Sequence, residues 1–557
     1  MNVERKHDMN RSRRTLRRAA LVAAVSIATA SSVVGCTAVT PDTTPDAAVK
    51  TVLRSPGGDG PVDSITWNLG SGEPATLDPP NVPTYSAMAV VTSVCDSLLS
   101  VDESGAIVPG LASVTQESPL RAVFTLRADA TFWDGAPLTT EDIVYSLNRA
   151  ASPSSYLAPT FANVASISAI SGAEVAIDFS APDATFLPTM VGVGGVVMEK
   201  AFSEKAGEAL GTPEGGLMCS GPFEISQWNV GTDIRLVKNK NYWNEERAAK
   251  VGDVRLTFIT DTSALTQAMA TGEVDGGWEI PASSIPALEA VDTGSLYYGN
   301  TTTIWSLRVA SPDSILATDA TLRQAFQQMI DRDAIAKTVF HGAARSWSTA
   351  ISPNSWPASA REGTQKRTSA IADERGYDPE KAKQLVEEAG AEGRKIELIV
   401  ASGDETASQL GQLVQAQAEA AGLNVSIRAL QPLEYAQAMY DPSVRGDSDL
   451  LLSSSGDIVQ EPLASIRYYY LPDGLYNWDG YVDEELAGLF GEAVGELDEK
   501  RRTEITLDIQ DRFEERAATI SVVNPYQVNF VSDRLGGVIT SSVYVNLPSL
   551  SFIGSAE

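Results

Sequence analysis

The sequence predicts a mixed α/β fold in more than one domain, and three observations carry that expectation. Strand-like and helix-like patterns alternate along most of the chain. The stretch 396–430 reads strand, helix, strand, the spacing of a right-handed βαβ unit with a parallel pair. The chain has 557 residues, enough for two or three domains with cores of their own.

The elements follow in order. Residues 65–68 begin a strand, and 257–259 form another that leads into a helix over 263–270, stopped at Gly272. Leu322, Ala325, Phe326, Met329 and Ile330 share one face of an amphipathic helix, and Asp331 caps the next. Asp378 and Pro379 supply an N-cap and a first-turn proline for a helix closed by Gly390. The βαβ unit comprises strand 396–400, helix 405–421 ended by Gly422, and strand 425–430. Residues 449–452, Asp-Leu-Leu-Leu, read as a further buried strand. Earlier in the chain, Asp134-Gly135 makes a turn, and Thr139 with Asp142 forms a capping box at the start of a helix.

The N-terminus reads as an address. Arg11, Arg13, Arg14, Arg17 and Arg18 precede an Ala/Val-rich run that stops at Cys36, the layout of a signal peptide over residues 1–35. Val33-Val34-Gly35-Cys36 resembles a lipobox, which implies that Cys36 carries the lipid and that the protein sits on the extracytoplasmic face of the cell membrane. Export by the Sec or the twin-arginine route stays open. Residues 36–61, rich in Thr, Pro, Asp and Gly, are expected to be a flexible tether.

Seven Lys/Arg and two Asp/Glu fall within residues 1–35, so a net charge of −30 becomes −35 in the remaining 522 residues. Such a surface excludes a nucleic-acid partner. Only Cys95 and Cys219 remain after Cys36. They are either paired in a disulfide or buried as free thiols, and their spacing suits no metal site.

Catalytic motifs are missing. The histidines are His7 and His341, with no G-x-S-x-G elbow, H-E-x-x-H, Walker loop or G-x-G-x-x-G. His341 reads as a helix-terminal residue, and residues 191–196, VGVGGV, as close-packed backbone. Neither an enzyme nor a cofactor is expected. The nine tryptophans suit core packing or a concave ligand site.

Several segments, in order, resemble the bacterial extracellular solute-binding proteins of family 5. They are Ala75-Thr76-Leu77-Asp78-Pro79, Phe124 to Arg127, Phe132 to Thr139, Glu141 to Ser146, Ser220-Gly221-Pro222-Phe223, Lys240 to Trp243, Gly272 to Asp275 and Tyr377 to Ala382. The resemblance implies a two-lobed periplasmic-binding-protein-like clamp with an extra subdomain on lobe I. Lobe I would comprise 62–93, 206–299 and 515–557, the subdomain 94–205, and lobe II 300–514. It also implies a monomer that serves an ABC permease and its ATPase subunits, and a small solute, foremost a short peptide, as ligand. An oligosaccharide or opine-like cargo, a sensor role and a tethered hydrolase are the alternatives.

By the same resemblance Asp457 stands where peptide-binding members pair the ligand's α-ammonium, although Ser453, Ser454 and Ser455 replace the tryptophan of many relatives. Asp457 also reads as a loop-capping Asx residue. Trp278 and Trp305, near the lobe crossing, are candidate aromatic walls, and Asn477 and Tyr85 complete the ligand-binding candidates. Nickel is not expected of a mature chain with one histidine.

Overall fold

The computed structural model describes residues 49–357 and 359–557. Two sheets organise it. The first has seven strands in the order Gly294–Gly299, Gln527–Ser532, Gly276–Gly277, Val62–Asn68, Val251–Thr257, Asp233–Lys238 and Phe223–Asn229. Val62–Asn68 runs parallel to Val251–Thr257, with Trp67 opposite Leu256. The second sheet has six strands, ordered Ala344–Ser346, Thr519–Pro525, Ile304–Val309, Leu450–Ser455, Lys395–Ala401 and Asn424–Leu430. Its parallel pair, Lys395–Ala401 with Asn424–Leu430, is the βαβ unit, joined by helix Glu405–Ala420. That helix starts as the sequence requires, because Asp404 accepts from the Ala407 amide at 2.9 Å.

A third, four-stranded antiparallel sheet builds the extra subdomain: Ala112–Ser118, Arg121–Leu126, Glu174–Phe179 and Val164–Ala169. Helix Thr140–Ala150 lies in the chain between strands Arg121–Leu126 and Val164–Ala169. The Thr139 hydroxyl accepts from the Asp142 amide, and Asp142 accepts from the Thr139 amide at 2.9 Å, a complete capping box. Asp142 also accepts from the Lys200 amide at 2.9 Å, so the cap ties the helix to the segment returning to the first lobe. Cys95 and Cys219 are joined in a disulfide with their Cα atoms 4.8 Å apart. The VGVGGV stretch is close-packed backbone, since a Cβ on Gly194 or Gly195 would fall 1.9 Å from a carbonyl oxygen.

The chain passes between the two large sheets at residues 300–303 and at Tyr526. The crossings are bonded to each other: the Thr301 hydroxyl donates to the Pro525 carbonyl at 2.8 Å, and Asn524 Nδ2 to the Thr303 carbonyl at 2.6 Å. Away from them the lobes also meet at their rims, where Asn546 Nδ2 donates to the Ile458 carbonyl at 2.6 Å and the Ser283 hydroxyl to Glu405 at 2.8 Å.

Two expectations change. Strand Thr519–Pro525 pairs with Ile304–Val309 and Ala344–Ser346, so it belongs to the second lobe and not, as a border at 515 has it, to the first. Its alternating Ile520, Val522 and buried neighbours read as a strand, but a sheet assignment needs the partner, which sequence does not name. From residue 49 the expected flexible tether lies against the first lobe instead. The Val52 amide donates to Tyr298 and the Ser55 amide to Val538, each at 2.9 Å. Gly58 has no room for a Cβ beside Gly537. Cys36 and the signal lie outside the described residues.

Candidate functional site

Asp457 stands at the meeting of the lobes because of what precedes it. Leu450, Leu451 and Leu452 anchor their strand in the core with no exposed surface, and the serines carry it to the sheet end. At Gly456 a Cβ would lie 3.0 Å from the Thr303 backbone, so glycine lets this loop press closely on the crossing. The Thr302 hydroxyl then donates to the Asp457 carbonyl at 2.6 Å.

The Asp457 side chain is 8% exposed and accepts a hydrogen bond from Ser465, on helix Leu463–Tyr470. The Ser355 hydroxyl faces it too, without a well-formed bond of its own. Burial pushes the carboxyl up to about 6, against the pull of Ser355 and Ser465. Other buried acids of this lobe have cations: Glu461 pairs with Arg502 at 3.3 Å and Glu514 with Arg375 at 2.5 Å. Among the described residues Asp457 has none.

From the first lobe comes Tyr85, the first residue of helix Tyr85–Val94, which Thr84 caps. Its phenol reaches Thr303 at the crossing. Burial raises the phenol to about 12, and the charges of Glu279 and Asp457 push in the same direction. The structure therefore brings Tyr85 and Asp457 together, with Tyr469 of the second lobe beside them.

The remaining candidates lie elsewhere. Trp278 is 3% exposed, stacked on Tyr544 at 4.6 Å and edge-on to Trp67 at 5.0 Å, and its indole N–H donates to the Ile539 carbonyl at 3.0 Å. It supports the first-lobe wall from behind. Trp305 is half-buried and packs on the second lobe's core with Leu307 and Val309 on one face of its strand. Asn477 spends its amide on its own turn, donating to Leu471 and Tyr481 at 2.8 and 2.7 Å. His341, exposed with φ 50°, ends the turn after helix Arg332–Thr338.

The profile of bacterial extracellular solute-binding proteins, family 5 (middle), matches residues 106–477. The chain belongs to this family. Among curated relatives it is 24% identical to the glutathione-binding protein GsiB of Shigella boydii over 493 residues, 83% of this chain and 89% of that one. Among solved structures, the ABC transporter substrate-binding protein CtaP of Listeria monocytogenes superposes with a TM-score of 0.77 at 19% identity, covering 89% of this chain and all of that one. The oligopeptide-binding protein AppA of Bacillus subtilis, solved with a nonapeptide, gives 0.73 at 18% identity over 89% and 100%. AgaA from A. tumefacien R10, solved with agropinic acid, gives 0.72 at 22% over 88% and 98%. These likenesses fix the fold as a two-lobed clamp of the kind that serves ABC importers.

Within this family clamp, sequence reasoning missed Glu279, Ser355 and the tyrosines. Glu279 follows the chosen Trp278 directly, but nothing in its neighbourhood distinguishes it from a surface acid. The run Tyr468-Tyr469-Tyr470 was the available signal. Tyr469 sits under the Arg308 guanidinium at 3.7 Å, and Tyr476 lies 5.0 Å from Tyr469, so the run opens onto an aromatic wall.

Proposed function

We propose that this protein is the lipid-anchored substrate-binding component of an ABC importer and that it captures a short peptide, whose α-ammonium pairs with Asp457. The observation that carries the reading is a carboxyl buried at the lobe crossing with hydroxyl neighbours and no cation of its own. A carboxylate so placed is costly alone and gains a strong charge-assisted bond from an ammonium. AppA, solved with a nonapeptide, and a Helicobacter pylori DppA, solved with the peptide STSA, support the ligand class. An anionic solute would meet repulsion at the same carboxyl.

The mechanism is differential affinity. Tyr85 comes from one lobe, Asp457 from the other and Thr303 from the crossing between them, so a solute touching all three favours the closed arrangement. The permease takes its cargo from that state, and no covalent chemistry is involved. Cys36 anchors the chain to the membrane through its lipid. Native mass spectrometry of protein purified from peptide-containing medium tests the ligand. Released adducts should be peptides with free N-termini, and a sugar or anionic adduct with no peptide would overturn the reading. Cys36→Ala should abolish lipid labelling; persistent labelling removes Cys36 as the anchor.

A further inference from the structure

Glu279 is the second acid of this cleft. It follows strand Gly276–Gly277 and is partly buried, with φ 57°, a left-handed conformation uncommon for a side chain of this kind. The space it occupies is kept open by Gly70, where a Cβ would sit 3.0 Å from that of Glu279. The Ser71 hydroxyl donates to Glu279 Oε2 at 3.2 Å, and the Ser71 amide donates to Ser86, the residue after Tyr85, at 2.9 Å. The Tyr544 phenol, stacked on Trp278, also reaches the carboxyl. Among the described residues no lysine or arginine pairs with it.

Glu279 and Asp457 thus converge on Tyr85 from opposite lobes, each held by hydroxyl groups and neither neutralised. Burial raises the pKa of both carboxyls, as expected where charge is drawn from water without compensation. The fully buried Ser355 hydroxyl also faces Asp457. Elsewhere in the chain buried acids are neutralised by a cation, as Asp483 is by Arg512 at 2.5 Å and Asp275 by Arg534 at 2.7 Å, or held by a full set of hydrogen bonds, as Asp96 is by Tyr242, Trp243 and Ser220. The cleft gathers two acids without a cation, one from each lobe.

We infer that Glu279 is a second cation-receiving group and that the solute carries two positive charges, an α-ammonium at Asp457 and a basic side chain at Glu279. This rests on the peptide reading above and narrows it to peptides with lysine or arginine at the first or second position. An ammonium or guanidinium there compensates an acid that the fold leaves without a cation. A neutral peptide leaves Glu279 uncompensated, and an acidic one adds a third negative charge.

The test is isothermal titration calorimetry of the purified, ligand-stripped protein with Ala-Ala-Ala, Lys-Ala-Ala, Ala-Lys-Ala and Glu-Ala-Ala, and with 1,4-diaminobutane. The wild type should bind one of the lysine peptides at least tenfold tighter than Ala-Ala-Ala, and Glu-Ala-Ala weakest. Glu279→Gln should bind the lysine and alanine peptides alike, with a wild-type circular-dichroism spectrum and a cooperative urea transition as the control for folding. Equal affinity for alanine and lysine peptides, or a preference that survives in Glu279→Gln, overturns the role of Glu279 and leaves the peptide reading standing. Binding of diaminobutane with no peptide bound overturns the peptide reading and keeps the two-cation site. Binding of none of the five overturns both.

Discussion

Replacing Asp457 by asparagine isolates the cost of keeping that carboxyl charged. Its pKa stands near 6 in the folded protein against 3.8 for an ordinary aspartate, a difference worth about 3 kcal/mol. The sign follows from the direction. A folded pKa above the unfolded one stabilises the fold fully below about pH 4, and that contribution is lost as pH rises through 6. The asparagine variant does not titrate at this position, and its amide can donate to the unpartnered Ser355 hydroxyl and accept from Ser465. Urea unfolding of ligand-free protein should therefore find the two proteins closely matched at pH 4. At pH 8 the variant should be more stable, by up to about 3 kcal/mol. The difference between the proteins is the quantity to follow, because Asp96, buried and also raised to about 6, shapes both curves alike. Peptide binding should move the opposite way, with affinity lost in the variant because an amide cannot pair with an ammonium. A variant less stable than wild type at pH 8, or a difference independent of pH, would refute the reasoning.

Four further outcomes follow from the geometry. In the wild type, peptide affinity should fall roughly tenfold between pH 8 and pH 5, since the ammonium must then displace a proton from Asp457; titration calorimetry at the two pH values checks it. The double variant Cys95→Ser, Cys219→Ser opens a loop spanning 124 residues and should lose about 4–5 kcal/mol of stability, read as an earlier urea transition that reducing agent no longer shifts. Thr139→Ala removes half of a capping box and should cost about 1 kcal/mol, whereas Glu514→Gln, breaking the buried pair with Arg375, should cost about 3–5 kcal/mol in the same assay.

The local grammar of the chain was readable. Asp378 before Pro379, Asp404 before Glu405 and Thr139 with Asp142 start helices where they should, because capping depends on residues within one turn. Helix Ala320–Met329 buries the face its periodicity marks. Asp457 and Tyr85 are candidates legible in the sequence, and the structure sets both beside the crossing at Thr302 and Thr303. Glu279 is not legible in this way, because its importance comes from Tyr85, nearly 200 positions away, and from the absence of a cation, and neither is a property of the residues beside it. The same limit explains Thr519–Pro525: hydrophobic alternation marks a strand but is silent on which of two sheets receives it. Trp278 reads as an aromatic wall near the lobe crossing, and the structure packs it on Tyr544 and Trp67.

The disulfide has a meaning for the chain's history as well as for its strength. Residues 95 and 219 are 124 positions apart in sequence and 4.8 Å apart in space, a gap of little more than one peptide step. Beside them the Gly221 amide donates to the Val94 carbonyl at 3.0 Å, and a side chain at 221 would collide with that backbone. The subdomain thus leaves and re-enters the first lobe at a single point, like a cassette plugged into one socket. Insertions or deletions within it need not disturb the register of either large sheet, so its length can drift while the clamp stays the same.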